Sequence, residues 1–206
     1  VIVHHRSLVR FLEWYKNNVK LDASSVFGLT SAPIFDMTLR AFAMFLVGGE
    51  IRVYPEEAGR LAAISCVIED RSTFLACTPS IATAMLQFPN LQRPTRLRTF
   101  SVGGEGFSSL LYAKLRAFLG PDIRILNNYG PTETTVAVST QELAGDHSRS
   151  LVGKPFILPV GKAMPNSYFL IMNKDLRPLP PGFVGEICIG GPQLAEGYFE
   201  RPAETQ

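Results

Sequence analysis

Cysteine is scarce: Cys66, Cys77 and Cys188 are the three in 206 residues, far apart and each inside an apolar run. That spacing argues against a disulfide framework or a clustered zinc site and predicts buried free thiols in a reducing, cytoplasmic compartment. An excess of charge of either sign is also missing. The 20 basic and 18 acidic residues give +2, with no dense Lys/Arg run. A nucleic-acid surface or an anionic membrane is met by such a field, so neither is an expected partner. No apolar stretch approaches the roughly 20 residues of a membrane span. No internal repeat or low-complexity segment is present, and 46% hydrophobic with 18% charged residues is the balance of a folded globular chain. The start, "VIVHHRSL", lacks a signal-like charged opening, and "ERPAETQ" brings no closing signal, so both ends read as cut from something longer.

What is present is alternation. Leu8, Phe11, Leu12 and Tyr15 recur at helical spacing in "RSLVRFLEWYKNNVK", with Ser7 as a cap. "SSVFGLT" reads as a short strand, and "FDMTLRAFAMFLVGG" as a helix with Asp36 near its start and Gly48-Gly49 at its end. "EIRVYP" is a strand, Ala58 to Ile68 a helix, "TFLACT" a strand, and Pro79 opens the helix "PSIATAMLQF". "LRTFSVGG" is a strand, Phe107 to Leu119 a helix and "DIRILNN" a strand. Helices and apolar strands taking turns predict an α/β fold, a mostly parallel sheet flanked by helices. Past about Ser139 the chain grows dense in Pro and Gly, with "SYFLIMN" and "VGEICIG" as strands. Residues 1–140 are therefore expected to form an α/β subdomain, and residues 141–206 the beginning of a β-rich one, a distorted barrel.

In open parallel sheets, ligands sit outside the carboxyl ends of the strands. Four loops fall there: "TSAPIFD", "CTPS", "VGGEG" and "NNYGPTETT". The last is rich in polar groups between two apolar runs, which suits a cleft and not a core. Tyr129 offers a ring to a flat ligand such as a purine, and Asn127 and Asn128 offer amides to a base edge. The hydroxyls of Thr132, Thr134 and Thr135 suit phosphate or carboxylate oxygens. Glu133 suits a hard cation such as Mg²⁺, which takes few carboxylates and keeps waters and phosphate oxygens. Gly103 and Gly104 allow close backbone approach. The dinucleotide fingerprint is not met, because Ser109 stands at the third glycine position after Gly104 and Gly106. The residues alone leave plainer readings open. A threonine-rich turn also caps its own backbone; Tyr129 also packs; the two glycines also make a sharp turn. His4, His5 and His147 read as cap-region or solvated residues.

Taken together, the motifs carry a resemblance. "NNYGPTETT" resembles the Asn-x-Tyr-Gly-Pro-Thr-Glu motif of the adenylation domains of nonribosomal peptide synthetases, in the adenylate-forming superfamily. In chain order, "FDMT" resembles the family's Phe-Asp-x-Ser/Thr motif and "LRTFSVGGEG" its adenine-flanking turn. "PVGKAMPNSYFLIMNKDLRPLPPGFVGEICIGGPQLAEGYFERPAET" resembles its Gly-Glu-Leu-x-Ile-x-Gly…Ala-Arg-Gly-Tyr segment. Here Ile187 stands for the leucine and Glu196 for the arginine. "VIVHHRSL" is similar to the stretch directly after the family's phosphate loop. The resemblance covers essentially the whole chain. It places that loop before Val1, and the ribose-binding aspartate and the small domain with its catalytic lysine beyond Gln206.

The resemblance implies amino-acid activation by ATP as an aminoacyl-adenylate, then transfer to the phosphopantetheine thiol of a carrier protein domain within a larger synthetase. Tyr129 would stack on adenine, Gly103 and Gly104 would flank it, and Asn127 and Asn128 would meet its edge. Thr132 would bind the α-phosphate or the substrate carboxylate, and Glu133 would hold Mg²⁺. Asp36, Met37, Arg40, Ala76, Ser101, Gly103, Asn128, Val136 and Ala137 would line the amino-acid pocket, with Asp36 on the substrate's ammonium. An acyl-CoA or aryl-acid ligase of the same superfamily, or a fragment that binds without turnover, stays open as an alternative. Arg40, four residues after Asp36 and read on one helix face with it, has three orientations open. It points into the pocket toward an acidic or strongly polar substrate side chain, pairs with Asp36, or turns outward.

Overall fold

The computed structural model of the chain describes residues 1–54, 62–144 and 155–205. His147 and the first part of the helix expected over Ala58–Ile68 lie outside the described residues. Helix α1 (His5–Val19) buries Phe11, Leu12, Tyr15 and Val19, the apolar stripe that its spacing predicts. Ser7 is not its cap. The helix starts three residues earlier, after His4, and the buried Ser7 hydroxyl donates to the Pro192 carbonyl at 2.9 Å.

Strands β1 (Val26–Leu29), β2 (Glu50–Val53), β3 (Phe74–Cys77), β4 (Thr99–Gly103) and β5 (Arg124–Tyr129) run parallel. Helices α2 (Ala62–Glu69), α3 (Pro79–Leu86) and α4 (Ser109–Leu119) connect them. Thr78 and Ser108 cap α3 and α4 by accepting from the N–H of Ile81 and of Leu111. The sheet continues through β6 (Ser139–Glu142) and β7 (Lys162–Ala163), both antiparallel to their neighbours, in the order β2-β1-β3-β4-β5-β6-β7. It therefore extends beyond residue 140. A separate antiparallel pair is formed by β8 (Tyr168–Met172) and β9 (Glu186–Gly190). The α/β sheet and the start of a second, antiparallel one are thus both present.

Strand alternation divides the core in two. Leu75, Cys77, Phe100, Val102 and Ile125 face α2, α3 and α4, where Met85, Tyr112 and Leu115 meet them. Phe27, Phe74, Ala76 and Leu126 face α1, where Phe74 stacks on Phe27 with centroids 5.0 Å apart and meets Tyr15 edge-on at 5.9 Å. Each fully buried Leu, Ile, Val, Phe or Met among them stabilises the fold by about 1.5–3 kcal/mol.

One element departs from expectation. The segment Asp36–Leu46 is a 3₁₀ helix, not an α-helix. Its buried residues fall in rows three apart, Thr38–Ala41–Met44 and Arg40–Ala43, while Phe42 and Phe45 lie exposed in the row begun by Asp36. A period of three matches 3.0 residues per turn. Ala41 and Ala43 share a buried cluster with Phe11, Leu12 and Tyr15 of α1.

Candidate nucleotide and substrate site

Sheet order reverses between β1 and β3, and the carboxyl ends of β1, β3, β4 and β5 meet at that edge. Such a switch point leaves a crevice with strand-end loops around it. At the end of β4, a Cβ on Gly103 would lie 2.8 Å from the Asn128 carbonyl oxygen, so only glycine fits this close approach of β4 and β5. Gly104, at φ +86, turns the chain out toward Met37, whose Cε is 3.9 Å from where a Cβ would stand.

The loop after β5 is built by its own backbone. Val138 donates its N–H to the Tyr129 carbonyl at 2.8 Å, closing the turn. Inside it, a single 3₁₀ turn spans Thr132–Thr134. Thr135 and Val136 come next at φ +60 and +70, a region a β-branched residue adopts only under constraint. The three threonines divide. Thr134 donates its hydroxyl to the Pro131 carbonyl and Thr135 to that of Gln193, both buried, so these two serve the loop's own structure. Thr132 stays exposed, and its hydroxyl donates to Asp36 Oδ2 at 2.6 Å. Residues 96 positions apart are thereby joined across the crevice.

Glu133 points the other way. Its carboxylate accepts a short hydrogen bond from the Tyr198 hydroxyl, while its carbonyl accepts from the N–H of Ala195 at 2.7 Å. The Tyr198 bond, more than any other influence, holds the Glu133 carboxyl below the usual carboxylate range, and the same bond pushes the Tyr198 phenol up. Glu133 is thus firmly ionised near neutrality. Among the described residues no group of three or more His, Cys, Asp or Glu comes together. A cation at Glu133 would draw its other ligands from water and phosphate, which suits Mg²⁺.

The two asparagines part company because adjacent strand residues face opposite sides. Asn127 lies with the α4-side core and donates to the Pro159 carbonyl at 2.8 Å. It is not brought together with the other candidates. Asn128 faces the crevice side, buried, donating to Ser101 Oγ at 2.5 Å and accepting from Thr140 Oγ1 at 2.7 Å. Its side-chain amide is therefore held within the floor. Ala76 and Ser101 are register partners on β3 and β4, and Val136 and Ala137 are buried from the loop side. Tyr129 is half-buried, its ring edge-on to Phe169 of β8 at 6.2 Å.

Arg40 neither turns outward nor pairs with Asp36. It is 3% exposed, with its guanidinium carbon 5.8 Å from the centre of the Tyr15 ring. The 3₁₀ period explains this: at about 120° per residue, position i+4 lies a third of a turn off the face of position i. Tyr15, unnoticed in the sequence beyond its helical spacing, borders Arg40 and Ser101. Its phenol is pushed up to about 12, burial outweighing the opposing effects of the Arg40 charge and its neighbours, so it stays neutral. Tyr198 and Thr140 are further partners that reading of single motifs missed, since each acts from a distant segment.

The family model of AMP-binding enzymes matches residues 1–199. The chain belongs to that family. Among relatives of this AMP-binding chain is tyrocidine synthase 3 of Brevibacillus parabrevis, 31% identical over 100% of the chain and 3% of the synthase. Malpibaldin synthetase of Mortierella alpina is 34% identical over 100% of the chain and 4% of its own length. The chain thus spans a few per cent of the curated relatives it matches. Among solved structures, holo-AB3403, a four-domain nonribosomal peptide synthetase bound to AMP and glycine, superposes with a TM-score of 0.86 and 25% identity over 99% of the chain, 15% of the synthetase. The N-terminal subdomain of Klebsiella oxytoca NpsA shares the fold, with a TM-score of 0.79 at 20% identity over 100% of the chain and 51% of that one. No helix among the described residues is long and apolar enough to cross a membrane.

Proposed function

We propose that this chain is part of an amino-acid adenylation domain of a peptide synthetase, making an aminoacyl-adenylate and pyrophosphate from an amino acid and ATP. The observation that carries this reading is the Thr132–Asp36 hydrogen bond at 2.6 Å. It joins the loop suited to phosphate with a carboxylate suited to an ammonium, so both ends of an amino-acid adenylate have partners across one crevice. A substrate carboxylate oxygen attacks the α-phosphorus as the bond to the bridging oxygen of the leaving pyrophosphate breaks. Two anions must be brought together for this, so alignment and charge neutralisation are most of the catalysis.

In this reading Asp36 takes the α-ammonium, and Thr132 releases Asp36 to donate to the carboxylate or the α-phosphate. Gly103, Gly104 and the Tyr129 ring take adenine between backbone and aromatic face. Glu133 would hold Mg²⁺, whose charge, when bound, offsets that of the phosphates. The division into an α/β part and a β-rich part, the ATP and Mg²⁺ requirements, and acyl transfer to phosphopantetheine on a carrier domain belong to the same proposal. So does cytoplasmic location. Residues 1–206 alone are expected to bind without turnover, since they contain neither the phosphate loop nor the catalytic lysine of the resemblance.

The test is amino-acid-dependent ATP–pyrophosphate exchange in the parent synthetase, comparing wild type with Glu133→Gln. The amide keeps the shape and the Tyr198 contact but loses the charge. Exchange is expected to fall by about 100-fold or more, in the range of lost transition-state charge stabilisation. Near-normal exchange in the variant removes Glu133 from the mechanism. Exchange only with carboxylic acids that lack an amino group overturns the amino-acid reading itself.

A further inference from the structure

A buried cation without a counter-ion is the least settled group in the described molecule. Arg40 is 3% exposed, and its Nε and Nη1 are buried with no hydrogen-bond partner. No carboxylate among the described residues forms an ion pair with it. Tyr15 cannot serve as the counter-charge, because its phenol is neutral up to about 12. The Tyr15 hydroxyl is itself buried without a well-formed hydrogen bond. Burying an unpaired guanidinium is strongly unfavourable, and a protein keeps one mainly where something anionic arrives.

The surroundings say where it arrives. Arg40 sits on the 3₁₀ segment that begins with Asp36, and four residues of such a helix rise roughly 8 Å. Beside Tyr15 lie both Arg40 and Ser101, the latter held by Asn128, and the small side chains of Ala76 and Ala137 belong to the same buried cluster as Tyr15. The same 3₁₀ segment thus carries a carboxylate at its start and, four residues on, a buried positive fork. An amino acid held by its ammonium at Asp36 would send its side chain toward that fork.

We infer that the pocket selects an amino acid with a side-chain carboxylate, received by the Arg40 guanidinium and the Tyr15 hydroxyl. This rests on the amino-acid activation proposed above and adds the substrate class. Guanidinium and carboxylate match as two parallel N–H···O bonds, through Nε with Nη2 or Nη1 with Nη2, and the unbonded Nε and Nη1 of Arg40 leave one donor open on each of these edges.

The experiment is pyrophosphate exchange by the parent synthetase with the standard amino acids, and with benzoate and a medium-chain fatty acid as acids lacking an amino group. Wild type is expected to turn over glutamate or aspartate most efficiently. Arg40→Met, of similar length, is expected to lose at least roughly 30-fold in kcat/KM for that acid, the low end for removing one partner of a buried charge pair. Arg40→Lys should fall between, keeping charge and losing the fork. Wild-type preference for neutral or basic amino acids overturns the inference and leaves the activation reading standing, whatever the variants do. Turnover of benzoate or the fatty acid alone overturns both.

Discussion

Gly130→Ala tests how the loop after β5 is built. A Cβ at this position would lie 2.5 Å from the Ala137 Cα and 2.7 Å from the Val138 nitrogen, both main-chain atoms that no rotamer change can move. Accommodating it pushes the two sides of the loop apart and stretches the 2.8 Å bond from Val138 N–H to the Tyr129 carbonyl. Overpacking of this kind costs about 1–3 kcal/mol, and a weakened buried hydrogen bond costs about 1 kcal/mol. Alanine restricts the unfolded chain and offsets about 0.4–1 kcal/mol. The expected net loss is about 1–3.6 kcal/mol, or roughly 2–14 °C in melting temperature for a chain of this size. Urea unfolding followed through the single tryptophan, Trp14 on α1, measures it. Ala137→Gly in the same chain should give no rescue, because the overlap is with backbone. A Gly130→Ala loss under about 0.5 kcal/mol, or rescue by Ala137→Gly, refutes the reasoning.

Tyr198→Phe removes the donor that keeps the Glu133 carboxyl low, so that group should titrate nearer its ordinary 4.5. A depressed carboxylate lends stability above its unfolded value and loses it as pH falls through the folded one. The variant should therefore be less stable than wild type near neutrality and equal to it in acid; a difference that grows on acidification contradicts this. Phe74→Ala empties a fully buried site between Phe27 and Tyr15 and should cost about 3–5 kcal/mol. A denaturation midpoint close to that of wild type would show this face of the core to be loosely packed.

The fold was legible where period and punctuation agree. Leu8, Phe11, Leu12 and Tyr15 predict α1, and Pro79 predicts the start of α3, because helical burial and the constraint of a first-turn proline are local matters. The 3₁₀ segment was not legible. Phe, Ala, Met and Leu in "FDMTLRAFAMFL" satisfy either helical period, so their pattern does not choose between them. Within the loop after β5, strand alternation already implied that Asn127 and Asn128 face opposite sides, yet both carry amides and composition treats them alike. Thr132, Thr134 and Thr135 are chemically equivalent in sequence, and only burial separates one that reaches across the crevice from two that cap the turn. The Tyr198 contact to Glu133 spans 65 positions and leaves no local trace.

Ile2 and Gly197 are paired as a two-bond bridge, Ile2 N–H to the Gly197 carbonyl at 2.7 Å and Glu196 N–H to the Ile2 carbonyl at 2.9 Å. The Ser7 hydroxyl is likewise satisfied by Pro192. For a chain that leaves the ribosome from its N-terminus at roughly 5–20 residues per second, these anchors emerge some 10–40 s after α1 does. Through that interval α1 holds an apolar stripe whose sheet partners in β3 and β5 arrive before its clasp. The stripe can dock early, but its N-terminal end is fastened last. Synthesis therefore delivers the crevice in a set order, with the Asp36 edge first, the Thr132 loop next, and Tyr198 closing over Glu133 at the end.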